Sequence, residues 1–166
     1  MTPELHHFED DGIIPNNKLP LLIYRHAFSA RKEEGALWLE KRFAGQNWSN
    51  FWLNGIYNYH HYHSITHEVL GVYAGSASVQ FGGESGTIIT IDAGDIIIIP
   101  AGVGHKNIFS SEDFAVAGAY PEGHSYDVLK GEAGERPFAD QRIAAVPIPE
   151  SDPLLGKNKG LSKIWS

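Results

Sequence analysis

From Asn50 to about residue 120 the chain alternates short runs of aromatic and β-branched residues with tight-turn residues, and no helical period interrupts it. The dividing clusters are Gly82-Gly83, Asp92-Ala93-Gly94-Asp95 and Ser110-Ser111-Glu112-Asp113. They predict strands near 51–63, 67–74, 77–82, 87–92, 95–100, 105–109 and 114–120. Many short strands without crossover helices argue against a parallel α/β sheet and for an all-β sandwich or barrel.

The flanks read differently. After a turn-rich start with breakers at Pro15, Asn16, Asn17 and Pro20, the apolar run Leu21 to Tyr24 predicts a strand. Ser29 is placed to cap one helix, with Glu33 and Glu34 in its first turn, Ala36, Leu39 and Phe43 on one apolar face, and Gly45 as its stop. No other segment reads as a helix. Beyond Gly131, prolines at 137, 147, 149 and 153 alternate with Ile148, Leu154, Leu155, Leu161, Ile164 and Trp165, too much apolar surface for a solvated tail. That tail either wraps its own barrel or crosses to a second subunit. The expected organisation is one domain over 1–166, with a barrel core about 50–121, a strand and helix in 18–45, and a packing tail 122–166.

Charge narrows the function. A formal net charge of -7 offers no basic surface for a phosphate backbone, so nucleic acid is not an expected partner. With no cysteine, any metal must use histidine and carboxylate. The first residues lack a basic segment followed by a long apolar run, and stretches such as Ile96 to Ile99 are too short to span a bilayer. The expectation is a soluble, cytoplasmic chain without a membrane partner, in which the sequon Asn47-Trp48-Ser49 carries no meaning.

In an extended strand, side chains two apart share a face, so His61 and His63 can aim at one point, in phase with Tyr57 and Tyr59. His60 and Tyr62 face the other way. Glu68 has the wrong parity for an uninterrupted strand and needs a turn or bulge across 64–67 to reach the same point. Glu68, Leu70 and Val72 then point inward, and His67 points away from the site. Farther on, Gly94, Pro100 and Gly102 set a bend that presents His105 at the start of a strand, with Asn107 and Phe109 in phase behind it.

These residues resemble the two motifs of the cupin superfamily. The first is Gly55, five residues, His61-Tyr62-His63, four residues, Glu68, six residues and Gly75. The second is Gly94, five residues, Pro100-Ala101-Gly102, two residues and His105, with Phe109 where the family often has asparagine. More narrowly, Gly12-Ile13-Ile14-Pro15-Asn16-Asn17 and His67-Glu68-Val69-Leu70-Gly71-Val72 resemble the bacterial YjlB-like small cupins. The resemblance implies a double-stranded β-helix, or jelly-roll, barrel holding one divalent transition metal (Mn, Fe, Ni or Zn) through His61, His63, Glu68 and His105. It also implies barrels that often pair through sheet edges, hence a homodimer.

Other motifs fail on inspection. His67-Glu68 begins a metalloprotease pattern, but Gly71 stands where its second histidine is required, and the loop from Gly82 to Gly86 lacks the lysine of a phosphate-binding loop. Four protein ligands leave about two positions on a six-coordinate ion but close a tetrahedral zinc. The expected function is a metal-dependent enzyme on a small organic molecule, an oxygenase first, an isomerase or decarboxylase next, with Tyr57, Tyr59, Asn107 and Phe109 shaping the pocket. The alternatives are a non-catalytic small-molecule sensor and a structural zinc barrel.

Overall fold

A computed structural model describes residues 1–166. In chain order the elements are β1 (Glu4–Phe8), β2 (Asn17–Tyr24), α1 (Lys32–Gly45), β3 (Trp48–Asn54), β4 (Glu68–Ala74), β5 (Ser76–Phe81), β6 (Thr87–Asp92), β7 (Ile96–Ile99), β8 (His105–Ser110), β9 (Ala115–Pro121), α2 (Phe138–Ala145), β10 (Ser151–Asp152), β11 (Gly156–Lys157) and α3 (Leu161–Ile164). A six-stranded antiparallel sheet in the order β1-β2-β7-β4-β9-β3 packs over a three-stranded sheet, β6-β5-β8. Together they form the jelly-roll barrel.

Alternation along the central strands explains both layers of the core. Leu21, Ile23, Leu70, Val72, Ile97 and Ile99 point between the sheets, where they meet Val79, Phe81, Ile89 and Ile91. Their neighbours Leu22, Tyr24, Val69, Ile96 and Ile98 point outward, and this face is covered as well. An unbroken Ile96-Ile97-Ile98-Ile99 is what a strand buried on both faces requires.

Helix α1 covers the outer face over β3, β4 and β9 through Leu39 and Phe43. It approaches closely because β4 carries Gly71, where an added Cβ would lie 2.5 Å from Leu39. The residues after 150 cover the β2 side. Trp165 donates its indole N–H to the Pro20 carbonyl at 2.9 Å, Trp48 donates to the Ser151 carbonyl at 2.9 Å, and the Tyr24 hydroxyl donates to Asp152 at 2.6 Å. Leu154, Leu161 and Trp165 are buried against their own barrel. The tail therefore wraps its own chain, and its apolar residues give no reason for a second copy.

Several local expectations are corrected. The strand expected over 51–63 ends at Asn54; beyond it, 61–62 make only single bridges, His61 to His105 and Tyr62 to Leu129. Arg31, not Ser29, occupies the N-cap of α1, and no side chain caps it. Helices α2 and α3 and the edge strand β1 were not legible: α2 and α3 are short, of eight and four residues, and β1 is a polar strand on a sheet edge. No helix is long and apolar enough to cross a membrane.

Candidate metal centre

His61, His63 and His105 present ring nitrogens that all lie within 4.8 Å of one another, and each residue is at most 5% exposed. The backbone builds this convergence. His61 and His105 exchange N–H···O=C bonds of 3.3 and 2.9 Å, an isolated antiparallel pair that sets their imidazoles side by side with ring centroids 4.0 Å apart. His63 follows two residues later on the same side. Glu68 opens β4, in phase with Leu70 and Val72, and puts Oε1 3.3 Å from His63 Nε2 and 3.4 Å from His105 Nε2.

The second nitrogen of each ring is already committed. Nδ1 of His61 faces the Tyr59 carbonyl at 3.1 Å, that of His63 the Asp127 carbonyl at 2.5 Å, and that of His105 the Val103 carbonyl at 3.1 Å. A carbonyl can only accept, so each Nδ1 carries the proton and each Nε2 keeps a lone pair for the site. Backbone carbonyls orienting imidazoles in this way are the usual support of a histidine metal centre. Three soft-to-borderline nitrogens and one carboxylate suit a divalent transition ion, so the residues fit the group that the sequence motifs imply.

Electrostatics agree for Glu68 and His61, whereas His63 must give up a favoured Nε2 proton when an ion binds. Burial alone would raise the Glu68 carboxyl, but the His63 and His105 rings outweigh burial and hold it far below the usual carboxylate range. Burial, with His105 close by, pushes His61 strongly down, so its ring is neutral and available as a donor. Burial also disfavours charge on His63, yet the Glu68 carboxylate and the Asp127 carbonyl outweigh it and raise its pKa.

Behind these four residues stands a support that sequence reasoning missed. The Tyr120 hydroxyl donates to Glu68 Oε2 at 2.7 Å and accepts the Trp52 indole N–H at 2.7 Å. Trp52 reaches it by lying flat over Gly118, its strand partner, where an added Cβ would sit 2.2 Å from the indole ring. The signal was present: Tyr120 is in phase with Val116, which points into the barrel. Tyr126 stacks on Tyr120 at 4.8 Å and 18°, but it sits on a loop, where no periodicity announces it. Beside it, Asp127 accepts from the Ser64 backbone N–H at 2.7 Å and from the Ser64 hydroxyl, which also accepts from Arg142 Nε at 2.8 Å.

A cavity of about 230 Å³ opens from the histidines, walled by Trp52, Ile56, Tyr57, Leu70, Tyr120 and Tyr126. Of the expected pocket residues only Tyr57 lines it. Tyr59 leaves because 55–60 is not a strand; it stacks on Tyr57 at 5.0 Å and lies beneath Lys130. Asn107 turns its amide to the Ser110 hydroxyl at 3.2 Å. Phe109 is 72% exposed, since a bulge in the β5–β8 register pairs Asn107 with inward Val79 but Phe109 with Ser78 of the opposite face. A larger groove of about 800 Å³, between 145–151 and Trp48, contains none of the four convergent residues.

His67 lies outside the centre, as its parity requires. It accepts the Ala101 N–H on Nδ1 at 2.9 Å and faces the Pro147 carbonyl with Nε2 at 3.2 Å, against the Trp165 ring at 4.8 Å. Burial pushes its pKa down to about 4.

No protein-family model matches this sequence. Over 159 residues it is 45% identical to "Uncharacterized protein YjlB" of Bacillus subtilis strain 168, spanning 95% of this chain and 93% of that protein. Among solved structures it resembles acireductone dioxygenase from Bacillus anthracis with a cadmium ion in its active centre, at 14% identity over 66% of this chain and 82% of that one, with a TM-score of 0.45. RmlC from Streptococcus suis in complex with dTDP-D-xylose gives 18%, 78% and 77%, with a TM-score of 0.39. Bacillus subtilis oxalate decarboxylase gives 19% identity over 70% of this chain and 29% of that one, with a TM-score of 0.39. None of the three reaches 0.5, so none bears on chemistry.

Proposed function

This chain belongs to the YjlB-like cupins, and from that premise we propose that it is a metal-dependent enzyme acting on a small organic molecule, with oxygenase chemistry. His61, His63, Glu68 and His105 hold one divalent manganese, iron or nickel ion. When bound, the ion supplies Lewis-acid and redox chemistry. The observation that carries the reading is the commitment of all three Nδ1 atoms to backbone carbonyls, which leaves three lone pairs and one carboxylate facing the same cavity.

The cavity favours an open centre over a closed zinc staple, because a purely structural site has no use for a walled space beside its ligands. Its walls favour oxygenase over isomerase. Apart from the four ligands, the only ionisable groups lining it are the hydroxyls of Tyr57, Tyr120 and Tyr126. A phenol titrates near about 10 in water, too high for a general base at neutral pH. The Tyr120 hydroxyl is moreover spent on Glu68.

Tyr120 and Trp52 fix the Glu68 carboxylate, and the Asp127–Ser64–Arg142 cluster fixes the loop that covers His63. The aromatic walls exclude water and orient the substrate. A homodimer is kept as a proposal on the free edges of β1 and β3 alone, and light scattering at micromolar concentration tests it.

The test of function is metal analysis of protein purified without chelator or nickel resin, followed by oxygen consumption over a panel of small chelating acids, diols and diketones. About one manganese, iron or nickel per chain, with uptake abolished in His61→Ala, is expected. Tetrahedral zinc that no compound perturbs overturns the enzyme in favour of a scaffold. Binding that alters the metal spectrum without turnover favours a sensor.

A further inference from the structure

We propose that the cavity selects a planar organic chelator bearing a single negative charge, such as an enolised diketone or a hydroxy-ketone on a small ring, and discriminates against dicarboxylates and phosphate. The inference rests on the metal-centre reading above and adds the class of its ligand.

Charge decides the class of ligand. A divalent ion contributes +2, a coordinating Glu68 carboxylate −1, and three imidazoles whose Nδ1–H atoms are held by carbonyls nothing. The buried cluster is left at +1. A monoanionic chelator brings it to neutrality. A dianion overshoots, and its extra charge needs a cation that the cavity does not have: no lysine or arginine lines it. The nearby cations are engaged elsewhere, Arg142 on the Ser64 hydroxyl at 2.8 Å and Lys130 over the Tyr59 ring at 4.7 Å. Apart from the ligands and the tyrosine hydroxyls, Asn54 is the one polar side chain in the lining.

Shape points the same way. Tyr126 stacks on Tyr120 and Trp52 adjoins them, so aromatic rings wall one side of the cavity, with Ile56 and Leu70 completing an apolar enclosure. Rings of this kind favour a flat, polarisable body. At about 230 Å³ the cavity falls below the roughly 300–1,000 Å³ of pockets for drug-sized ligands. The ligand is therefore small, with its oxygens at the histidine end and its apolar body against the aromatic wall.

The test uses the full chain loaded with Mn(II), with metal per chain measured before and after. Tropolone and acetylacetone are compared with oxalate and inorganic phosphate by calorimetry and by the electron paramagnetic resonance of the bound ion. Each affinity is divided by that of the same compound for Mn(II) in water, which removes intrinsic chelating power. On this scale tropolone is expected to exceed oxalate by at least about tenfold. Oxalate or phosphate equal to or above tropolone overturns the inference while leaving the metal centre intact. Asn54→Arg, at the exposed rim of the cavity and on the same strand face as Trp52, should move the ratio toward oxalate by at least about tenfold with metal content unchanged. An unmoved ratio refutes the charge argument. A chain that retains no metal overturns the metal-centre reading and this inference with it, and the metal measurement identifies that outcome.

Discussion

The Tyr120 hydroxyl donates to Glu68 Oε2 at 2.7 Å, which turns the other carboxylate oxygen toward His63 and His105. A carboxylate otherwise free to rotate is thereby given one presentation. Tyr120→Phe removes the hydroxyl but keeps the ring on Tyr126. Metal affinity is expected to fall by about 10–100-fold. Stability should fall by about 1–3 kcal/mol, because the Trp52 N–H loses its acceptor. Competition against a metal indicator and urea unfolding read the two effects separately; an unchanged metal affinity would show that Tyr120 only packs.

Removing imidazoles should remove the ion. His61→Ala and His105→Ala each take one nitrogen from the cluster, and the double variant should fall from about one metal per chain to a trace. Wild-type protein treated with chelator should melt at a lower temperature and recover when metal is restored. Elemental analysis and calorimetry check both, and near-stoichiometric metal in the double variant would place the centre elsewhere.

His67 offers the converse. Its ring is buried and bonded to the Ala101 N–H and the Pro147 carbonyl, away from the cluster. His67→Ala should lower stability by about 2–4 kcal/mol, through the lost bonds and the space left beside Trp165. Metal content should not change. Loss of metal in a variant that remains folded by near-ultraviolet circular dichroism would contradict the division between ligand and structural histidine.

Acid should act partly through Glu135. Burial alone would raise its carboxyl, but the Tyr62 hydroxyl and the N–H groups of Lys130 and Gly131 outweigh burial and hold its pKa below the ordinary 4.5. The unfolded chain therefore takes up this proton at higher pH than the folded one. Its contribution is complete above about pH 4.5 and is lost as pH falls through the folded value. Glu135→Gln should be less stable than wild type at pH 7, and the gap should close on acidification. Denaturation midpoints from pH 7 to pH 3 for the two proteins check this; a gap that stays constant would refute it.

What could be read from the sequence followed period and parity. The inward phase of Glu68, Leu70 and Val72 and the outward turn of His67 follow from parity once a turn across 64–67 is allowed, and the structure has both the turn and the phase. Counting fails where the ladder is interrupted. Tyr59 was lost because 55–60 leaves the sheet, and Phe109 because one extra residue in β8 reverses its face. Tyr126 and Asp127 could not have been found by period, since a loop without hydrogen-bond repeat carries no phase. The tail left both outcomes open because apolar content demands burial without saying against which surface.

The bond from Trp165 to the Pro20 carbonyl joins positions 145 residues apart, and it bears on the order in which the molecule can be made. As a nascent chain leaves the ribosome, β2, β7 and β4 can pair once residue 99 has emerged. Leu154, Leu161 and Trp165, which close the outer face beside Leu22 and Tyr24, come more than fifty residues later. Throughout that interval the leucines and isoleucines of the β2 side, beyond the reach of α1, lie bare on the outer face, the kind of surface that draws aggregation or a chaperone. Slowing translation beyond residue 121 should lengthen that exposure, and with it the demand on cellular folding assistance.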